Sequence, residues 1–242
     1  MSPSLFPRKG SGEWRAAAAA ALGSALAAAA LWGAQRLAGV DADALDVVSV
    51  ATTLAYVWLC RKGGVLSWPI GVLSSLAFSA KTLELGLTGQ AWFYLAVFVP
   101  MQLWNWRAWG LGAASGGRPA WLGARGRLAS LLGFAAATAA IRFAMAAPDG
   151  GLWAWWDSSV AAGVALGTVL LGRRNVDGWL VFSVAVNASG AALYATAKDW
   201  ALCALSLVML ANAVMGMVGW AKEAKAAAPS AAPVAALAGG VP

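Results

Sequence analysis

Apolar residues run in long stretches along this chain, broken by short turns that carry Arg, Lys, Gly or Asp. Eight stretches have the length of a membrane crossing: 14–35, 44–60, 65–82, 91–109, 128–146, 151–171, 176–197 and 200–220. A helix needs about 20 predominantly apolar residues to cross the hydrocarbon layer. In lipid only helices and closed barrels satisfy their own backbone polar groups. The pattern therefore predicts an all-α polytopic membrane protein with eight transmembrane helices. Composition agrees: charged residues are 11% of the chain, against about 25% in soluble domains.

A second pattern is superposed on the first. Asp46, Trp68 and Trp109 recur as Asp157, Trp179 and Trp220, each 111 residues later, and Val65 and Val176 share that offset. Each copy spans three hydrophobic segments, and one further segment lies between them. A three-helix unit enters and leaves on opposite sides, so one intervening helix starts the second copy on the same side as the first. The expectation is a parallel repeat about an axis along the membrane normal, the arrangement of one class of secondary transporter. The expected parts are a basic N-terminal segment with an extra helix (1–43), a first repeat (44–110), and a linker with its linking helix (111–147). A second repeat (148–221) and a disordered Ala/Pro/Gly tail (222–242) follow. The Ala-rich first segment reads either as a retained helix, which its length favours, or as a cleaved signal.

Net charge is +7, but its distribution, not its sum, is informative. Of the 17 Lys and Arg residues, 13 fall at one set of segment ends, including Arg61, Lys62, Arg173 and Arg174. Arg36, Lys81, Arg142 and Lys198 fall at the other. The positive-inside rule then places both termini in the cytoplasm. The charge thus reads as topology in a lipid bilayer, and no nucleic acid partner is expected. The chain has no His, the commonest metal ligand and general base, and no Walker-type loop. No cofactor, metal or ATP hydrolysis is expected. Cys60 and Cys203 lie in apolar segments and read as free buried thiols.

Polar residues at depth are the candidate chemistry. Asn187 lies mid-span in the seventh segment, where an unpaired amide costs several kcal/mol. It either bonds a neighbouring helix or bonds a solute. Ser183 and Tyr194 fall on roughly the same face. The repeat offset puts Leu76 at the place of Asn187, with Ser74 and Ser75 close by, so the halves are alike in frame but not in chemistry. In the fourth segment Gln102 is about two turns from the end, with Trp106 and Trp109 following on its face. Trp109 and Trp220 read as membrane-boundary belt residues. Tyr56, with Thr52 and Thr53, either lines the path or back-bonds to its own helix, while Trp58, Trp68 and Trp179 offer stacking faces. Asp46 and Asp157 read as helix N-caps. An acid–base enzyme built on these two carboxylates is the reading from another class, but neither has an evident partner. The expectation is a carrier, not an enzyme.

Trp155 to Asn187, "WWDSSVAAGVALGTVLLGRRNVDGWLVFSVAVN", with "QLWNWRAWG" from Gln102 and "LANAVMGMVGW" ending at Trp220, resembles the PnuC family of bacterial vitamin transporters over residues 44–221. The resemblance implies three helices, a linking helix and three more, similar to the SWEET sugar transporters. It implies uptake of nicotinamide riboside across the inner membrane by facilitated diffusion, with trapping by a cytoplasmic vitamin kinase, and a homotrimer. Thiamine or riboflavin is the alternative cargo, and a SWEET-like sugar carrier the next. Asn187 maps to the family's mid-helix polar position, and Gln102 and Trp106 to its aromatic segment. Where the family often has Asn in the first repeat, this chain has Ser74 or Ser75.

Overall fold

The computed structural model describes residues 12–37, 39, 44–84, 88–110, 118–144, 151–196 and 200–227. Arg8, Lys9, Lys198 and the tail beyond 227 lie outside the described residues. Eight helices account for almost all of the rest: α1 (Gly12–Leu37), α2 (Ala44–Arg61), α3 (Ser67–Glu84), α4 (88–110), α5 (Ala124–Ala144), α6 (Gly151–Gly172), α7 (177–196) and α8 (Trp200–Ala227). The last helix runs six residues beyond the 221 boundary expected from sequence. Three stretches are apolar and long enough to cross a membrane on length and composition alone, Ala124–Ala144, Ala154–Gly172 and Cys203–Ala226. Val47–Arg61 of α2 is apolar but shorter, and other helices carry polar residues inside the bundle. In α3, Ser74, Ser75 and Ser79 are buried, and in α4 Gln102 and Asn105 are.

Two helices contain a π-helical stretch, Tyr94–Phe98 in α4 and Phe182–Ala188 in α7. Pro100 follows the first, and proline removes an N–H and crowds the carbonyl four residues back. In the second, the Asn187 side-chain amide donates to the Phe182 carbonyl five residues earlier, at 2.8 Å. A side chain inserted into the backbone ladder is a recognised cause of such irregularity.

The turns after α2 and α6 are built alike, hydrogen bond for hydrogen bond. Gly63 N–H donates to the Cys60 carbonyl and Gly64 N–H to that of Leu59; Arg174 N–H donates to Leu171 and Asn175 N–H to Leu170. Each pair is a Schellman motif, closing a helix through one left-handed residue. That residue is Gly63 in one turn (φ 72°) and Arg174 in the other (φ 57°). Glycine adopts this conformation freely, whereas an L side chain costs about 1–2 kcal/mol there. Next, Trp68 N–H donates to Val65 and Trp179 N–H to Val176, starting α3 and α7 in the same register.

Between these turns the correspondence is reciprocal. Trp109, near the end of α4, donates its indole N–H to the Gly172 carbonyl at 2.8 Å, and Trp220 in α8 donates to that of Arg61 at 3.0 Å. Gly172 and Arg61 are the last residues of α6 and α2, where helical carbonyls lack an intrahelical partner. The two tryptophans are 1% and 2% exposed. This corrects the boundary-belt reading, because a belt residue would face lipid headgroups. Trp68 meets Trp109 edge-on at 5.1 Å, Trp179 meets Trp220 edge-on at 5.5 Å, and Trp109 lies 6.4 Å from Trp220. These four rings form the centre of the main core.

The remaining helices flank this frame. α1 packs on α2, and α5 on α6. Glu13 of α1 accepts from Leu66 N–H at 3.3 Å. On the other side, buried Asp177 accepts from Leu122 N–H at 2.7 Å and from Arg127 Nε at 2.8 Å. The linker also bridges to the second turn at Ala120, whose N–H donates to the Arg174 carbonyl and whose carbonyl accepts from Val176 N–H. Asp157 lies on the seventh residue of α6, since the helix begins at Gly151, so the N-cap reading of Asp157 does not hold. The side chain of Asp46, in the first turn of α2, lies outside the described residues. Cys60 and Cys203 are free, the first buried and the second partly so.

Candidate functional site

Above the four tryptophans, helices α2, α3, α4, α6, α7 and α8 surround a cavity of about 820 Å³, its open mouth included. Each helix contributes the face opposite its lipid side. From α4 come Tyr94, Phe98 and Gln102, at successive spacings of four. From α7 come Phe182, Val186 and Asn187, all within the π-helical stretch, which brings 186 and 187 onto the wall together. Thr53, Tyr56, Gly71, Ser74, Ser75, Phe78 and Ser206 add further polar groups and rings.

Hydrogen bonding sorts these groups. Thr53 Oγ1 and Ser74 Oγ share a bond of 2.7 Å between α2 and α3. Ser75 donates to its own helix at the Gly71 carbonyl. At the cavity floor the Tyr56 hydroxyl and Gln102 Oε1 converge, with the Thr168 hydroxyl beside Tyr56 but off the wall; all are buried, and none makes a hydrogen bond of good geometry. Buried polar atoms are rarely left so. Gln102 reaches this place because Gly71 faces it: a Cβ on Gly71 would lie 2.8 Å from the amide. Phe78 and Tyr94 lie tilted to each other at 5.5 Å, and Tyr94 meets Phe98 edge-on at 5.6 Å. Among the described residues, no charged side chain lines the cavity.

Of the residues singled out from sequence, Asn187, Gln102, Tyr56 and Ser75 line this cavity. Ser183 lies one turn from Asn187, but its hydroxyl donates to the Trp179 carbonyl and it is off the wall. Trp68 and Trp179 are fully buried in the layer beneath, and Trp106 packs partly buried against the same core. Trp58 faces the small core between α1 and α2, with the Lys62 ammonium 5.8 Å from its ring. The side chain of Tyr194 lies outside the described residues. Thr52 back-bonds to Val48. Phe78, Tyr94, Phe98, Phe182, Ser206 and Met209 were not singled out. Stepping back from Gln102 by one and two turns would have reached Phe98 and Tyr94.

An uncharged, aromatic-walled chamber inside a bundle of apolar helices is the site of a membrane transporter for a small organic solute. The chain belongs to the nicotinamide mononucleotide transporter family, whose sequence pattern covers residues 43–222. Its fold is similar to that in a crystal structure of the vitamin B3 transporter PnuC, with a TM-score of 0.67 over 87% of this chain and 92% of that one. Sequence identity is 18%, so the likeness is one of fold. No curated protein matches the chain.

Proposed function

We propose that this protein carries nicotinamide riboside inward across the bacterial inner membrane by facilitated diffusion, with cytoplasmic phosphorylation trapping the product. The observation that carries the reading is the cavity wall: five aromatic rings, Tyr56, Phe78, Tyr94, Phe98 and Phe182, with hydroxyls and two amides, and no charged side chain among the described residues. A pyridinium ring is a flat cation, and a cation over an aromatic face gains about 0.5–2 kcal/mol. The ribose hydroxyls and carboxamide are neutral donors and acceptors, matched to Asn187, Ser75 and the unpaired atoms at the floor. The mononucleotide adds a phosphate, and the walls hold no Lys or Arg for it. Burying an unpaired anion costs several kcal/mol, which favours the unphosphorylated nucleoside.

The matching turns and the reciprocal tryptophan bonds support two co-oriented triplets, α2–α4 and α6–α8, as in the SWEET arrangement. The basic ends of both triplets then face the cytoplasm with both termini. Rocking of one triplet against the other would give alternating access. A homotrimer and a partner vitamin kinase complete the proposal. Vitamin auxotrophs expressing the chain test the cargo. Growth on nicotinamide riboside but not on the mononucleotide, in cells lacking a surface phosphatase, is the expected result. Rescue by thiamine or riboflavin alone would replace this cargo, and inhibition of uptake by glucose or sucrose would favour a sugar carrier.

A further inference from the structure

Below the cavity the pathway is filled. Tyr56 of the floor lies 6.0 Å from the Trp68 ring. Beyond it Trp68, Trp109, Trp179 and Trp220 occupy the space between the triplets, none more than 2% exposed. On the far side of this layer the two Schellman turns face each other, and here their likeness breaks. Gly63 stands in one turn, and its counterpart in the other is Arg174, held in the same left-handed conformation. The Arg174 side chain crosses to the opposite triplet. Nη2 donates to the Gly63 carbonyl at 3.5 Å, and the guanidinium lies over the Trp109 ring at 4.8 Å. A Cβ on Gly63 would come within 2.7 Å of Nη2, so a side chain there would displace the end of Arg174. Two arginines at equivalent positions would meet across the axis between the triplets and repel, so a single cation from one side closes the gap.

We propose that Arg174 is a latch that holds this end of the pathway shut, and that solute leaves at this end only when Arg174 releases Gly63 and Trp109. The arginine keeps a backbone conformation suited to glycine while its side chain reaches the other triplet, and Glu223 of its own triplet attracts the same cation. Opening the triplets at this end must separate Arg174 from Gly63, which belong to different halves, and must break the Trp109–Gly172 and Trp220–Arg61 bonds with it. Trp109 is thereby clamped on one face by the cation and at its edge by Trp68. The inference rests on the transport reading above, and its test does not depend on the cargo.

Cys60, buried behind Arg174 and Trp68, is the reporter. With Cys203 replaced by Ser, the protein is labelled with a charged, membrane-impermeant maleimide in right-side-out and in inverted vesicles. Arg174→Gly, the residue the other turn uses, should raise the Cys60 labelling rate about fivefold or more at one face only, the scale of one released cation–π contact. Arg174→Lys, which keeps the charge and a donor but not the planar stack, should fall between. Losing a neighbouring cation by itself slows thiolate chemistry, so a faster reaction reports access. A rise at the face opposite to the cytoplasmic one would retain the latch and overturn the proposed orientation. Unchanged labelling at both faces in Arg174→Gly, with the wild-type melting temperature, would overturn the latch. Should that variant fail to fold, unchanged labelling in Arg174→Lys would do the same.

Discussion

Gly71→Ala moves one cavity amide without deleting it, and the structure sets the size of the effect. The new methyl carbon would lie 2.8 Å from Gln102 Cδ and Oε1 and 2.9 Å from Nε2. Non-bonded carbon contacts are comfortable at about 3.5–4.0 Å, so the amide must retreat by roughly 1 Å or more. Gln102 is 1% exposed, and the open space beside it is the cavity it lines. Overpacking of this kind costs about 1–3 kcal/mol, offset by about 1 kcal/mol because alanine is the better helix former. The variant should lose between zero and about 2 kcal/mol of stability. If nicotinamide riboside is the cargo proposed above and Gln102 bonds it, a displaced amide also forfeits a hydrogen bond of about 0.5–1.5 kcal/mol, and binding should weaken roughly 2- to 10-fold. The decisive measurement is the same substitution in a Gln102→Ala background. There the three nearest contacts of the methyl group are gone, the helix propensity gain dominates, and the melting temperature should rise. Titration calorimetry and thermal unfolding of the purified protein give both numbers. Equal stabilisation by Gly71→Ala in both backgrounds, with binding unaltered, would show that Gln102 does not project into the cavity against Gly71.

Asn187→Leu should weaken ligand binding about tenfold or more while membrane insertion stays normal; undiminished uptake would assign Asn187 to packing alone. Trp109→Phe and Trp220→Phe each remove one indole N–H from a helix-end carbonyl and leave a smaller ring. Each should cost about 1–3 kcal/mol in unfolding measurements, and by similar amounts; a loss confined to one of them would break the reciprocity drawn between the two halves.

Much of the frame was readable because it is written in residues with narrow physical roles. Turns that start the next helix in one register and tryptophans that satisfy helix ends leave marks at fixed spacing. Asn187, Gln102, Tyr56 and Ser75 stand out in sequence because polar groups at membrane depth need a reason. The tryptophans were harder. One near a helix end looks the same whether it faces lipid or donates to a neighbouring helix, and only the shared offset of Trp109 and Trp220 hinted at a shared task. Phe78, Phe98 and Phe182 resemble any apolar residue in a hydrophobic run. The widened turns of α4 and α7 also lie beyond a reading based on a regular helical period. They decide that Val186 and Asn187 reach the wall together.

Shifted by the offset that relates the turns, Gly12–Leu37 falls on residues 123–148, over α5. The start of each outer helix also touches the corresponding turn position: Glu13 reaches Leu66, and Leu122 and Arg127 reach Asp177. The carboxylate belongs to the outer segment in one case and to the turn in the other. On the co-oriented arrangement proposed above, each half would count as a quartet with an even number of crossings, entering and leaving the bilayer at one face. Two such quartets would need no spacer between them, and α1 and α5 would ride as outriggers beside the seam between the halves.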